Sequence, residues 1–217
     1  MTLATVSIPS QASGKSSSMR LMTGPLSTAG ASSGASVGGG DGSATAAFAP
    51  SSVPNDRFHV MPRAMPEAMV REVVAGYGDA ARRFKEAGLD GAEIVASHGY
   101  LPSQFLNPHA NIREDEYGGD FKRRLRFVEE IVADIRAKTG DFVIGLRISA
   151  DERDPGGLGD ADVLAICEAL DSPDGVDYMS VVAGTSASLG GSLHIAPPML
   201  YEAGYTAPYA AAVRARV

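Results

Sequence analysis

Apolar residues recur at three- and four-residue steps through Met69, Val73, Tyr77, Ala80 and Phe84. This spacing predicts an amphipathic helix, with Pro66 suited to its first position and Gly88 as the residue that ends it. Ala92–Ala96 is a short apolar run that reads as a strand. Polar and mixed sequence over residues 97–119 then predicts a long loop, until Asp120 caps a second helix whose stripe is Phe121, Leu125, Val128, Val132 and Ile135 and which stops at Gly140. Phe142–Ser149 is apolar almost throughout, as expected of a parallel strand covered on both faces. Asp160 opens a third helix carrying Val163, Leu164, Cys167 and Leu170. Val176–Ala183 forms a third strand, and a weak helix spans Pro208–Val217.

Strands that alternate with helices imply an α/β fold with a parallel sheet. Periodicity leaves two architectures open, a part of a (β/α)8 barrel and an open doubly wound sheet. Residues 1–40 differ in kind: they are mostly Ser, Gly, Ala and Thr, with Lys15 and Arg20 as their only charges. Such a stretch buries too little apolar surface to offset ordering costs of roughly 1–2 kcal/mol per residue, so it is expected to be disordered. The glycine tract Gly38–Gly40 follows no strand and reads as a linker rather than a dinucleotide fingerprint. The expected organisation is therefore low complexity over 1–40 and one α/β domain over 41–217.

Charge and cysteine content narrow the function classes. A net charge of −7 offers no basic field for nucleic acid or an anionic membrane, and no run of 18 apolar residues could span a bilayer. The one cysteine, Cys167, cannot form an intrachain disulfide or a cysteine cluster for zinc or iron–sulfur. No metal site is expected, and a cytoplasmic location is the default.

Candidate chemistry gathers after the first strand. His98 and Tyr100 lie two apart, so in extended chain both face one side, and Gly99 between them permits close backbone approach. A long loop at the C-terminal end of a parallel strand is where α/β folds place their sites. Arg147 is a charge inside an apolar strand and needs a partner. Alternation puts it on one face with Val143, Gly145 and Ser149, as in a barrel lumen. Glu114, Asp115 and Glu116 read as a solvated or capping cluster, His109 and His194 as structural or surface residues, and His59 offers nothing specific.

The segment HGYLPSQFLNPHANIREDEYGG, followed by RRLRF, resembles the signature of the Old Yellow Enzyme-like NADH:flavin oxidoreductases, a family that includes trimethylamine dehydrogenase and the 2,4-dienoyl-CoA reductases. The resemblance extends through PSSVPNDRFHVMPRAM, KEAGLDGAEI, FVIGLRIS and DYMSVVAGT, over about residues 41–217. APSSVPNDRFHVMPR and VVAGTSASLGGSLHIAPPM look most like the branch that demethylates N-methylated proline derivatives. The resemblance implies an FMN-binding (β/α)8 barrel that passes hydride through flavin N5, with NADH or NADPH as electron donor. It implies Tyr100 as a catalytic proton donor and His98 as a catalytic residue that also binds substrate. It implies Arg147 as a cofactor-binding residue at the flavin pyrimidine edge, where a guanidinium stabilises developing negative charge.

The sequence also departs from that pattern. Enone-reducing members carry a second histidine where Val95 stands, so the paired donor clamp for a carbonyl is missing and oxidation of an N-methylated amino acid is favoured over alkene reduction. Three strands are visible where a full barrel has eight. The early strands, with a Gln-x-x-His-x-Gly-Arg segment, and the last strands of the phosphate pocket are not recognisable. The expectation is a shortened family member, and the alternative function is a catalytically silent fragment that binds FMN weakly or not at all. An aldolase reading fails because no strand carries a lysine for a Schiff base. The expected partner is a small molecule, with no nucleic acid and no membrane, and a homo-oligomer is left open.

Overall fold

The computed structural model describes residues 47–55 and 57–217. The segment expected to be disordered, the glycine tract within it and the boundary at residue 41 lie outside the described residues. Two short strands, β1 (Phe48–Ala49) and β2 (Arg63–Ala64), pair in parallel. The main sheet follows as β3 (Gly91–Ala96), β4 (Val143–Ser149) and β5 (Tyr178–Val182), all parallel and in sequence order. Helix α1 (Glu67–Glu86) precedes the sheet, α2 (Leu101–Leu106) and α3 (Phe121–Thr139) join β3 to β4, and α4 (Asp160–Leu170) joins β4 to β5. A one-turn α5 (Leu189–Ser192) and α6 (Ala207–Arg214) close the chain.

The caps follow the sequence closely. Pro66 stands at the N-cap of α1, and Gly88, with φ +82°, stands just past its end. Asp120 accepts a hydrogen bond from the Arg123 amide at 2.9 Å, and Gly140, with φ +64°, ends α3.

The buried stripe of α1 runs through Val70, Val74, Tyr77 and Ala81, one position away from the expected one. Met69, Val73 and Phe84 flank it, half-buried. Both series have helical spacing, so periodicity alone could not choose between adjacent rows; packing of α1 on α3 does.

Two expectations need correction. The loop 97–119 is interrupted by α2, because Leu101, Phe105 and Leu106 form their own buried helical face and Pro102 sits in its first turn. Phe105 stacks on Phe127 of α3 at 4.0 Å between ring centroids. Nor is β4 apolar on both faces. Ala92, Ile94 and Ala96 join Ile144, Leu146 and Ile148 in the core with the helices, whereas the opposite face carries Glu93, Arg147, Tyr178 and Ser180.

The remainder of the expected loop is a knot. Arg113 donates to the carbonyls of Pro50 and Met65 at 2.8 and 2.7 Å and pairs with Asp115. Asn111 donates to the carbonyls of Phe105 and Tyr117, each at 2.7 Å. Asp115 is partly solvated, as expected, and in addition paired: its Oδ1 accepts from the Tyr117 amide at 3.1 Å, and the Arg113 guanidinium beside it holds its carboxyl below the usual range.

Candidate active site

One face of the main sheet, from mid-strand to just beyond the C-terminal ends, gathers the polar groups. Parallel register sets Glu93 beside Gly145 and Gly145 beside Tyr178, with Val95, Arg147 and Ser180 one pleat further on. Gly145 leaves room for the Tyr178 ring to lie across it, since a Cβ there would overlap the ring and its hydroxyl. Burial, followed by the adjacent Glu93 carboxylate, pushes the Tyr178 phenol up to about 12. Arg147 Nε lies 2.7 Å from Glu93 Oε1, a charge contact without hydrogen-bond alignment. The Glu93 side chain is fully buried, while that of Arg147 is 24% exposed.

The charge in β4 thus finds its partner inside the protein. The signal was available in the sequence: Glu93 is an acid inside the neighbouring apolar strand, and charges are rarely buried unless paired.

His98 sits just beyond β3 with φ +58° and is 9% exposed. Its amide donates to Ser149 Oγ at 3.1 Å, and that hydroxyl donates to the Gly184 carbonyl at 2.8 Å. Its Nδ1 faces the same carbonyl at 3.3 Å. A carbonyl only accepts, so Nδ1 carries the proton. Burial lowers the imidazole pKa, and the Arg147 charge acts in the same direction, against a smaller opposing effect of the Gly184 carbonyl. The ring is therefore held neutral, and Nε2 presents a lone pair.

The Tyr100 ring meets the His98 ring edge-on at 6.5 Å. It caps α2 and remains 40% exposed at the mouth. His98 and Tyr100 are thus brought together, and the Arg147 charge lies close enough to bear on the imidazole.

A flavin ring edge can be tested against these groups. Ser97 Oγ and both Glu93 oxygens are buried without an aligned partner among the described residues. The terminal nitrogens of Arg147 make no hydrogen bond among those residues either. A partly exposed guanidinium with unused donors fits the acceptor-rich pyrimidine edge of an isoalloxazine.

A separate cleft lies beside this group, lined by Phe48, Asn55, Gln104, Glu152, Thr185 and Ser188 among others, but by none of the His98, Tyr100 and Arg147 side chains. Sequence reasoning passed over Glu152, which is 3% exposed. Its Oε2 accepts from the Leu158 amide at 2.8 Å and from Asn107 Nδ2 at 3.0 Å. Burial raises its pKa from 4.5 to about 7, outweighing those two hydrogen bonds.

A carboxyl raised in this way favours the folded state only while it is protonated. Its penalty is absent below about pH 4.5, grows with pH, and reaches about 3 kcal/mol above about pH 7. Glu152→Gln keeps an acceptor for both donors. Its stability relative to wild type, followed by urea midpoints, is expected to climb across that window and then level off.

A parallel α/β segment with charged groups on one sheet face and polar groups beyond its strand ends matches a part of a (β/α)8 barrel, a fold in which sites lie at that end of the strands. Residues 28–186 match the NADH:flavin oxidoreductase / NADH oxidase family, and the chain belongs to it. The match starts before residue 41, inside the stretch read as low complexity.

Among relatives, an N,N-dimethylglycine/sarcosine dehydrogenase of Chromohalobacter salexigens is 40% identical over 136 residues, which are 62% of this chain and 20% of the relative. A metal reductase of Desulforamulus reducens is 40% identical over 139 residues, covering 64% and 21%. An NADPH dehydrogenase of Listeria monocytogenes is 37% identical over 166 residues, covering 76% and 46%. The chain thus spans less than half the length of these relatives. A 2-naphthoyl-CoA reductase structure superimposes with a TM-score of 0.72 at 26% identity, over 78% of this chain and 26% of that one.

Proposed function

We propose that the protein acts in FMN-dependent oxidation of a small N-methylated amine, with His98, Tyr100 and Arg147 as the residues that meet cofactor and substrate. The observation that carries this reading is the approach of His98 Nδ1 to the Gly184 carbonyl at 3.3 Å, which favours the tautomer with the proton on Nδ1. With Nδ1–H given to Gly184, Nε2 accepts a hydrogen bond from a substrate N–H and can receive its proton. An enone oxygen would find no donor there, and Val95 supplies none. The name of the Chromohalobacter relative points the same way. When bound, FMN supplies a two-electron acceptor for hydride. Arg147, anchored at Nε by Glu93, would hold the pyrimidine edge with its terminal nitrogens. Tyr100 would close the mouth and present its phenol to the substrate side. A nicotinamide donor and the inner surface of a complete barrel belong to the same reading.

The test is a titration of the purified chain with FMN, read by quenching of flavin fluorescence, followed by addition of sarcosine or N,N-dimethylglycine. Saturable binding, weakened about tenfold in Arg147→Lys through loss of the guanidinium fork, and formaldehyde release are expected. Absence of flavin binding removes the cofactor assignment for this chain. Binding without reduction by any N-methylated amine removes the substrate class.

A further inference from the structure

The cleft beside the candidate active site has a chemistry of its own. It occupies about 210 Å³, below the usual 300–1,000 Å³ of sites for larger ligands. A molecule of about one ring is therefore the right size. Phe48, Val53, Pro54, Val60 and Pro62 give it an apolar wall, and Glu152 and Asp154 give it negative charge. No lysine or arginine is among its lining residues in the described part of the chain. Glu152 is almost wholly buried, and one of its oxygens is committed to Leu158 and Asn107. The other, Oε1, makes no hydrogen bond among the described residues. A buried carboxyl with a spare acceptor, facing a cleft with no lysine or arginine among its described lining residues, has no fixed ammonium or guanidinium beside it, and a ligand cation supplies that charge.

We propose that this cleft binds a small apolar amine in its ammonium form, the N–H donating to Glu152 and the hydrocarbon part lying against Phe48 and Val60. The site is separate from the flavin reading and does not depend on it. The titratable groups around the carboxyl are Asp151 and Asp154 on its own loop and His109 beyond α2. Asp151 is itself paired with Arg153 at 3.0 Å. Both aspartates resist ionisation of Glu152, and an arriving cation opposes them.

The experiment uses the full chain, without flavin, and three probes of one shape: benzylamine, benzyl alcohol and benzoate, each followed by titration calorimetry. Benzylamine is expected to bind at least about tenfold more tightly than the other two. Its affinity should rise about tenfold between about pH 6 and pH 8, as Glu152 gives up its proton. Glu152→Gln should abolish both the preference and the pH dependence. Ala187→Phe, which adds a ring to the lining and keeps the carboxyl, should block benzylamine while leaving the pH dependence of stability in place. It also keeps the test intact if Glu152→Gln fails to fold. Equal binding of the three probes, unchanged binding in either folded variant, or no binding of benzylamine overturns the proposal.

Discussion

Arg147→Ala is expected to destabilise the domain by about 3–5 kcal/mol, because it strands a fully buried carboxylate. Of the polar groups near Glu93 among the described residues, the Tyr178 hydroxyl is the one left to face it. A neutral hydroxyl offsets less of the desolvation of a buried carboxylate than a guanidinium does. The loss is to be measured by urea denaturation. Removing both charges, as in Glu93→Gln with Arg147→Met, should recover most of it, since a buried pair is often replaceable by neutral groups of similar volume. A loss under about 1 kcal/mol, with no recovery in the double variant, would mean that the carboxylate is supported by something other than the guanidinium.

Gly145→Ala is the second large effect. The added methyl must displace the Tyr178 ring, and overpacking of this kind costs about 1–3 kcal/mol. A displaced ring loses its present position beside Glu93. The phenol, now pushed up to about 12, should then titrate closer to its ordinary value, and labelled tyrosine would report this at the ring carbon bearing the hydroxyl. Tyr178→Ser in the same chain makes room for the methyl and should restore much of the lost stability. If Gly145→Ala leaves both melting temperature and phenol titration unchanged, the ring does not lie across the glycine.

Much of this fold was legible because local chemistry and global packing agree. Asp120 and Gly140 bound α3 as their side chain and backbone freedom dictate. Gly88 ends α1 for the same reason, and the alternation in β4 gave the face shared by Gly145, Arg147 and Ser149. What could not be read depends on neighbours distant in sequence. The choice between the Met69–Val73 row and the Val70–Val74 row is made by α3. Helix α2 was hidden because six residues give too few turns for a periodic signal.

The same division holds at the site. His98, Tyr100 and Arg147 were named from residue types and resemblance. The His98 tautomer is set by Gly184, 86 residues further along, and the partner of Arg147 lies in another strand. Glu152 was invisible because nothing in its local sequence shows that Asn107 and Leu158 enclose it.

The knot around Arg113 has a wider consequence. The most recognisable stretch of this chain, HANIREDEYGG, spends its side chains on carbonyls at residues 50 and 65 and on its own turns. Its residues are fixed by how the scaffold is tied together. Two proteins can therefore share that stretch as scaffold and still differ at the strand ends, where the proposed reading places contact with the substrate.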